Sequence, residues 1–517
     1  MTDSLAGYDE IPYESFPITE THPDRLAVIG RFFGLDSPDP TRARVLELGC
    51  ASGGNLLPIA WFHPLTQCLG LELSRSQAFQ GMQWVDALGL SNAEIRHQDI
   101  MDFPAQGEPF DFIIVHGVFS WVPPKVREHI LAVCGQRLAP GGIAYISYNT
   151  LPGGRQRSML RDMLLHHARD RGSPRERLAA ARDMLEFLAT PLDSSPRGHD
   201  WVRHEVQRLR AARDSYLYHE YLEETNEAFL FSEMVRRASR HGLQYLADAQ
   251  LHTMFPSTLG EAAESSLARF DDLVEEEQYA DFLRLRGFRQ SLFCRDSEPL
   301  TRDVDLDSLL ALPLYTDLIP DEDGGYRGAT GQHFEPGTPL LRAVIERLGE
   351  SFPQGQTLAG VLPEVHHRLT KAGTPTSAQD LSRIGHELFN LFISGGVQAT
   401  LSPAVTGTRP RPDTCANTGP QAARLARVLA DGGENLIPTP RHQTLQLDPI
   451  SVRLLPLLDG QRDPAAVVEA MMAAAARDSA LTRLLRKGTP EAIRGEIGSY
   501  VRETLTLLDR HGLITDH

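Results

Sequence analysis

The stretch that decides the fold is VLELGCASGGN, residues 45–55. Its first four residues have strand character, and the chain then turns through Gly49, Gly53 and Gly54 into the apolar run LLPIAW, residues 56–61. A strand that turns on glycines into a helix gathers free backbone N–H groups and the positive end of the helix dipole at one point. Because glycines also let a ligand approach the backbone closely, the stretch predicts a ligand-binding loop.

The spacing of this loop is close to the dinucleotide-binding fingerprint but lacks its second glycine. An acid follows at the expected distance, since Glu72 ends the strand-like run CLGLE, residues 68–72, and a carboxylate there can bind a ribose diol. A second acid, Glu47, lies inside the loop motif and suits a ligand with a cation and an amino group better than a pyrophosphate. This combination resembles the S-adenosylmethionine (SAM) site of class I methyltransferases.

Length, net charge and cysteine content narrow the class of protein that this chain can be. The chain has 517 residues, which predicts roughly three or four domains, and its net charge of −17 argues against a nucleic-acid partner. Five scattered cysteines show no metal-ligand spacing and favour a reduced, cytoplasmic protein without a metal site. No apolar run is long enough to span a membrane, so we expect no membrane insertion.

After residue 45, strand-like and helix-like segments alternate, which predicts an α/β fold with a mostly parallel, Rossmann-like sheet of seven strands. Ligands of such sheets bind at the carboxyl ends of the strands. Asp99 follows a third strand-like run and could accept a hydrogen bond from an adenine amino group. Trp121, Tyr148 and Asn149 follow or end the next two strands and become candidates for substrate contact.

Aromatic side chains around this edge have a physical use. Methyl transfer from a sulfonium to an amine leaves positive charge on nitrogen, and the faces of aromatic rings attract that charge. A lone histidine at a strand end is usually structural, so the role of general base is the less favoured role for His116. The predicted catalytic residues are Tyr13, His116, Trp121, Tyr148 and Asn149. The predicted cofactor-binding residues are Tyr13, Glu47, Gly49, Cys50, Ala51, Gly53, Asn55, Glu72, Leu73, Ser74, Asp99, Ile100 and His116.

Several longer motifs add a family resemblance. The segments THPDRL (residues 21–26), HGVFSWVP (116–123) and ISYNT (146–150) resemble the bacterial protein lysine methyltransferases that methylate rickettsial outer membrane protein B. The segments DSYLYHEYLEE (214–224) and HGLQYL (241–246) look like the methyltransferase regulatory domain attached to that core. The resemblance implies a SAM-dependent enzyme that acts on a lysine of a protein or peptide. One departure, Ala51-Ser52-Gly53-Gly54 in place of the commoner Gly-x-Gly form, is expected to loosen SAM affinity.

Two other functions remain open. One is a small-molecule N- or O-methyltransferase, which a deep closed pocket would favour, whereas an open groove between the core and the regulatory-type domain would favour a protein substrate. The other is a non-catalytic SAM-binding protein. The complete set of Glu47, Gly49, Glu72 and Asp99 argues against that second alternative.

We predict six segments along the chain. The first 40 residues form an arm, with Tyr13, that serves as a lid over the cofactor site, and the Arg-rich helices after the core form a spacer or the interface of a possible homodimer. The segments are the arm (1–40), the methyltransferase core (41–154), the helical spacer (155–210), the regulatory-type domain (211–300), a winged-helix-like middle domain (301–402) and a strand-plus-helix domain (425–517).

Overall fold

A computed structural model describes residues 10–193, 200–302, 306–328, 331–402, 419–477, 479–485 and 488–515. At its centre lies a sheet whose first five strands run parallel. The central strands are buried along almost their whole length because helices cover both faces of the sheet, whereas the edge strand AEIRH (residues 93–97) buries only Ile95. The five strands are β1 (Arg44–Leu48), β2 (Gln67–Glu72), β3 (Ala93–His97), β4 (Phe110–Val115) and β5 (Leu138–Thr150).

The sheet is completed by strands that come much later in the chain. Strand β8 (Phe288–Arg295) lies antiparallel to β5, and β7 (Leu243–Asp248) lies antiparallel to β8, so the order is β3-β2-β1-β4-β5-β8-β7. The short β6 (Ala228–Phe229) pairs with the end of β5. The predicted mostly parallel sheet is confirmed. Two strands of this sheet, β7 and β8, lie within residues 211–300, the segment predicted to be the regulatory-type domain, so the sheet continues beyond the predicted core boundary at residue 154.

Successive residues of each strand pack on opposite faces of the sheet. Phe112, Ile114 and Tyr145 contribute to the core on one face, whereas Ile113 and Ile146 contribute to the core on the other. The first face is covered by the first three helices, and the second face by the fourth. These helices are α1 (Pro23–Phe32), α2 (Leu56–Phe62), α3 (Arg75–Leu88) and α4 (Pro124–Arg137).

The chain between β5 and β6 forms a helical unit with its own apolar core. Leu164, Leu185, Leu209 and Leu217 are buried in it, and Ile11 of the N-terminal arm joins them. The helices of this unit are α5 (Gly153–Ala168), α6 (Pro174–Asp193), α7 (Asp200–Ala211) and α8 (Asp214–Tyr221). Three further helices flank β7, namely α9 (Phe231–Ser239), α10 (Glu261–Leu267) and α11 (Leu273–Arg284).

The middle segment combines helices with small antiparallel sheets. One sheet has the order β13-β9-β14 and the other β10-β11-β12. The strands are β9 (Pro313–Tyr315), β10 (Ile319–Pro320), β11 (Tyr326–Arg327), β12 (His333–Phe334), β13 (Gln356–Thr357) and β14 (Gln398–Ala399). The helices are α12 (Leu306–Ala311), α13 (Pro339–Ser351), α14 (Leu358–Lys371) and α15 (Ala378–Ser394).

The C-terminal segment packs its helices into the same apolar core as the first face of the central sheet. Its first and last strands pair with each other, and a hairpin lies between them. The strands are β15 (Gln421–Ala422), β16 (Leu436–Pro438), β17 (Thr444–Gln446) and β18 (Ile514–Thr515). The helices are α16 (Arg424–Asp431), α17 (Pro449–Leu454), α18 (Pro464–Ala475), α19 (Ser479–Leu484) and α20 (Pro490–Arg510). None of the described helices combines the length and apolar character needed to cross a membrane.

Candidate active site

The glycine loop between β1 and α2 is tied to the end of β2. The backbone N–H groups of Gly49 and Cys50 donate to the carbonyl oxygen of Leu71 at 2.8 and 3.1 Å. The Glu72 carboxylate accepts from the N–H of Ala51 at 2.9 Å and from the N–H of Ser74 at 2.7 Å. The Leu73 N–H also donates to this carboxylate, which has about four acceptor sites, so room remains for a further donor. Glu72 therefore holds the loop and can also accept hydrogen bonds from a ribose diol.

Two glycines in this region are required by close packing. Gly53 has a φ of +82°, and a Cβ there would lie 2.6 Å from Ile95 Cδ1. A Cβ on Gly70 of β2 would lie 2.5 Å from Cys50 Sγ. Cys50 is buried, and burial raises the pKa of its thiol well above the ordinary value. Cys50 therefore supports the loop by packing and does not provide a thiolate nucleophile.

Glu47 and Asn55 lie beneath the loop and bind each other. Glu47 is 3% exposed, and its Oε1 accepts from Asn55 Nδ2 at 2.8 Å. Burial, reinforced by the nearby Glu72 carboxylate, raises the pKa of Glu47 to about 7. The other oxygen, Glu47 Oε2, is buried and has no hydrogen-bond partner among the described residues. This buried acceptor fits a donor group on a ligand held in the loop.

The side-chain oxygen of Asn55 accepts three hydrogen bonds from two distant parts of the chain. It accepts from the N–H of Ile18 at 2.8 Å, from the hydroxyl of Thr21 at 3.0 Å and from His442 Nε2 at 2.8 Å. His442 must carry its proton on Nε2 to donate this bond. Asn55 was predicted to touch the cofactor, but its amide holds the loop to the arm and to the C-terminal segment.

The ends of β2 and β3 form an exposed apolar edge. Asp99 caps the short 3-10 helix Ile100–Asp102, and its Oδ1 accepts from the N–H of Met101 at 2.9 Å. Leu73 and Met101 are 43% and 42% exposed, which is high for large apolar side chains. A planar base such as adenine can lie against such apolar surfaces. This position agrees with the prediction that Leu73, Asp99 and Ile100 bind the cofactor. The Ser74 hydroxyl accepts from the N–H of Gln77 at 3.3 Å and so caps α3.

The end of β4 provides open space next to the loop. Gly117 has a φ of +66°, and a Cβ there would meet no atom within 4 Å. His116 Nδ1 lies 2.9 Å from the hydroxyl oxygen of Tyr145, and the two rings stack. Burial lowers the pKa of His116 to about 4, so its imidazole is neutral at neutral pH. A histidine with such a pKa is a weak base, which favours a lining role.

The described contacts of Tyr148 lie in the core and argue against its predicted catalytic role. Its side chain is 1% exposed and packs with Phe119 and Phe229. Its hydroxyl lies 2.9 Å from the hydroxyl of Ser291 on β8. The reason is strand alternation, because Tyr148 points to the same buried face of β5 as Ile146. Trp121 is partly buried in the turn after β4, and its role stays a prediction.

Asn149, the second-last residue of β5, lines a cavity shared with the helical unit. Its N–H donates to the hydroxyl of Ser120 at 2.8 Å, and its Nδ2 donates to Asn226 Oδ1 at 2.9 Å. The cavity combines amides, guanidinium groups and one carboxylate from the core, α5 and α8. Its lining residues are Asn149, Gly154, Arg157, Arg161, Glu220, Tyr221 and Asn226.

The N-terminal arm connects this cavity to the glycine loop. The carbonyl oxygen of Ile11 accepts from His219 Nε2 at 2.6 Å, and the Tyr13 ring lies 5.4 Å from the His219 ring. Further along, the hydroxyl of Ser15 accepts from the N–H of Gly54 at 2.7 Å. Tyr13 therefore lies at the cavity end of the arm and not on the glycine loop. The first nine residues of the predicted arm lie outside the described residues.

Comparisons with known proteins agree with this geometry. Residues 45–142 match the family model of a methyltransferase domain, and residues 213–295 match a predicted methyltransferase regulatory domain. Residues 419–513 match the C-terminal winged helix domain of PKMT. The winged-helix match thus falls on the segment predicted as strand-plus-helix, after the middle domain for which a winged-helix-like structure was predicted.

Full-length relatives come from Rickettsia. The uncharacterized protein RP789 of Rickettsia prowazekii is 32% identical over 481 residues, which cover 90% of this chain and 85% of that protein. The structure of PKMT2 from Rickettsia typhi superposes with a TM-score of 0.82 at 26% identity, over 98% of this chain and 100% of that one. The complex of PKMT2 with AdoHcy gives a TM-score of 0.83 over 97% of this chain. The chain therefore belongs to the family of class I methyltransferases with a methyltransferase regulatory domain and a PKMT winged-helix domain, and its cofactor is SAM.

Proposed function

We propose that this protein transfers the methyl group of SAM to the side-chain amine of a lysine in a protein substrate. The observation that carries the proposal is the correspondence with PKMT2 over 98% of the chain, which includes the regulatory and winged-helix parts as well as the core. A likeness confined to the core would support any class I methyltransferase equally well.

The residues at the strand ends fit SAM. Glu72 would hold the ribose hydroxyls, and Asp99 with its apolar neighbours would hold the adenine. The glycine loop and the buried Glu47 Oε2 would hold the methionine end. When bound, SAM supplies a methyl group on a positively charged sulfur.

The task left to the protein is to present a neutral amine in line with that methyl group. A free lysine has a pKa of about 10.4, so its amine is mostly protonated at neutral pH and cannot attack. Burial and nearby positive charge both lower the pKa of an amine. Alignment of the reacting atoms then supplies most of the acceleration, and a strong base is not required.

A cavity shared by the core and the regulatory segment supports a protein acceptor. Asn149 belongs to β5, whereas Glu220 and Asn226 belong to the segment that matches the regulatory domain. A substrate side chain inserted between these two parts can remain attached to a polypeptide that lies on the surface.

The test is transfer of tritium from methyl-labelled SAM into a heat-treated lysate of the source cell, separated into protein and small-molecule fractions. We expect label in protein that is stable to base and is recovered on lysine after hydrolysis. Label confined to small molecules would overturn the proposal in favour of a biosynthetic methyltransferase. An enzyme that binds AdoHcy but labels neither fraction would be a non-catalytic SAM-binding protein.

A further inference from the structure

The cavity beside Asn149 contains groups that neither hold the cofactor nor belong to the apolar core. Its floor is the end of β5, where Asn149 Nδ2 donates to Asn226 Oδ1 at 2.9 Å and Asn226 Nδ2 donates to the Glu220 carbonyl oxygen at 3.3 Å. These bonds fix both amides. Among the described residues no hydrogen bond occupies the Asn149 Oδ1, and Glu220 lines the same cavity.

The charges around Glu220 are mixed. Burial raises the pKa of Glu220 to about 7, although positive charge on Arg157, His219 and Arg208 acts in the opposite direction. A carboxylate with such a pKa can take up and release a proton near neutral pH. The titratable groups that face it come from α5, α7, α8 and the arm, and they are Arg157, Arg161, Arg208, Tyr216, His219 and Tyr13.

We propose that this cavity receives the amine of the target lysine and that the Glu220 carboxylate accepts its proton; this rests on the function proposed above. The carboxylate and the Asn149 Oδ1 are the acceptors that the N–H groups of an amine need. The guanidinium groups of Arg157 and Arg161 favour the neutral amine through like-charge repulsion. The regulatory segment thus contributes a catalytic residue.

The proposed step balances. The lysine ammonium gives one proton to Glu220, which becomes a neutral carboxylic acid. The nitrogen lone pair forms the bond to the methyl carbon, the carbon–sulfur bond breaks, and its electron pair stays on sulfur. The methylated amine leaves carrying the positive charge, and Glu220 returns its proton to water.

The experiment compares wild type, Glu220→Gln and Glu224→Gln in the tritium-transfer assay on heat-treated lysate protein between about pH 5.5 and 9. Glu224 is an exposed carboxylate on the same segment and does not line the cavity, so it is the matched control. AdoHcy affinity is measured for each variant by calorimetry. Asn226→Leu, of similar volume, is a second variant that keeps the carboxylate but removes the bond that orients Asn149.

We expect Glu220→Gln to lower the rate at neutral pH by about tenfold to a hundredfold while AdoHcy affinity is unchanged. The wild-type rate should rise with pH through an inflection near 7, and Glu220→Gln should lose that inflection. Asn226→Leu should have a lower methylation rate but should keep the inflection near neutral pH. Glu224→Gln should have the wild-type rate and pH profile.

Three results would overturn the proposal. The first is a wild-type rate and pH profile in Glu220→Gln. The second is loss of AdoHcy binding in that variant, which would make Glu220 a structural residue. The third is a faster Glu220→Gln, which would indicate that the two arginines bind an anion there. A wild-type enzyme that labels no lysine would instead disprove the proposed function itself, so the two failures can be told apart.

Discussion

His442 Nε2 lies 2.8 Å from Asn55 Oδ1, although the two residues are 387 positions apart in the chain. Asn55 closes the glycine loop, and His442 belongs to the segment that matches the winged-helix domain. The same Asn55 oxygen accepts from the arm, and Asn55 Nδ2 donates to Glu47. The C-terminal domain is therefore hydrogen-bonded to the side chain that holds the cofactor loop.

The first prediction is that His442→Ala weakens AdoHcy binding by about tenfold, because a buried acceptor loses one donor and the loop loses an anchor. Titration calorimetry on the full chain measures the affinity. His366→Ala is the control, since His366 is exposed on α14. Wild-type affinity in His442→Ala would show that the loop holds its shape without the C-terminal domain.

The second prediction concerns acid stability. The rings of His63 and His442 lie 5.4 and 4.9 Å from the ring of His22. Burial lowers the pKa of all three, that of His442 from 6.5 to about 3. The unfolded chain therefore binds more protons, so the free energy of unfolding should be highest above pH 6.5 and fall as the pH drops toward 3.

Urea unfolding at several pH values tests this dependence. His442→Gln removes one of the three titrating groups and should give a shallower loss of stability below the ordinary histidine pKa of 6.5. An identical pH slope in wild type and His442→Gln would contradict the assignment of His442 as a buried neutral imidazole.

The third prediction is that Glu72→Gln lowers AdoHcy affinity by about tenfold to a hundredfold. The amide that replaces the carboxylate would lose a charge-assisted hydrogen bond to the ribose, worth about 1.5–3 kcal/mol, and would also weaken the bonds from Ala51 and Ser74 that hold the loop. Glu94→Gln on β3 is the control, because Glu94 is exposed and pairs only with Arg96 in the described structure. Undiminished affinity in Glu72→Gln would remove Glu72 from the ribose site.

The fourth prediction concerns stability at the β8 side of the sheet. Arg289 is buried, donates to Asp281 at 2.7 Å and to Glu277 at 3.0 Å, and lies 3.6 Å from the centroid of the Phe231 ring. Arg289→Met would leave buried carboxylates without their cation and should cost about 3–5 kcal/mol of unfolding free energy. The exposed pair of Arg96 with Glu94 is the comparison, and Arg96→Met should cost less than about 1 kcal/mol.

The fifth prediction follows from the position of Tyr148. Tyr148→Phe removes only the hydroxyl that meets Ser291, so it should cost about 1 kcal/mol of stability and leave the methylation rate unchanged. Denaturant unfolding and the tritium assay measure the two quantities. A large loss of rate without loss of stability would return Tyr148 to the list of catalytic candidates.

The strand-loop-strand unit could be predicted because its signals are local. Glycine spacing and apolar runs lie within residues 45–72, and the parallel register brings Leu48 level with Leu71, and Glu72 level with His97. Tyr148 could not be placed from sequence because the run ISYNT is buried throughout, and alternation along it alone does not tell which face meets a ligand. The bond between Asn55 and His442 has no local signal at all, since it depends on how the C-terminal domain packs.

Strands β7 and β8 are synthesised long after β5, and this order has a consequence for how the protein is made. Strand β5 forms its long antiparallel pairing with β8, which ends at residue 295. Until the ribosome has released that much chain, the 13-residue β5 has an unpaired edge, and such edges recruit strands from other molecules. A fragment that stops after residue 154 should aggregate on expression, so this methyltransferase core must be produced together with the segment that follows it.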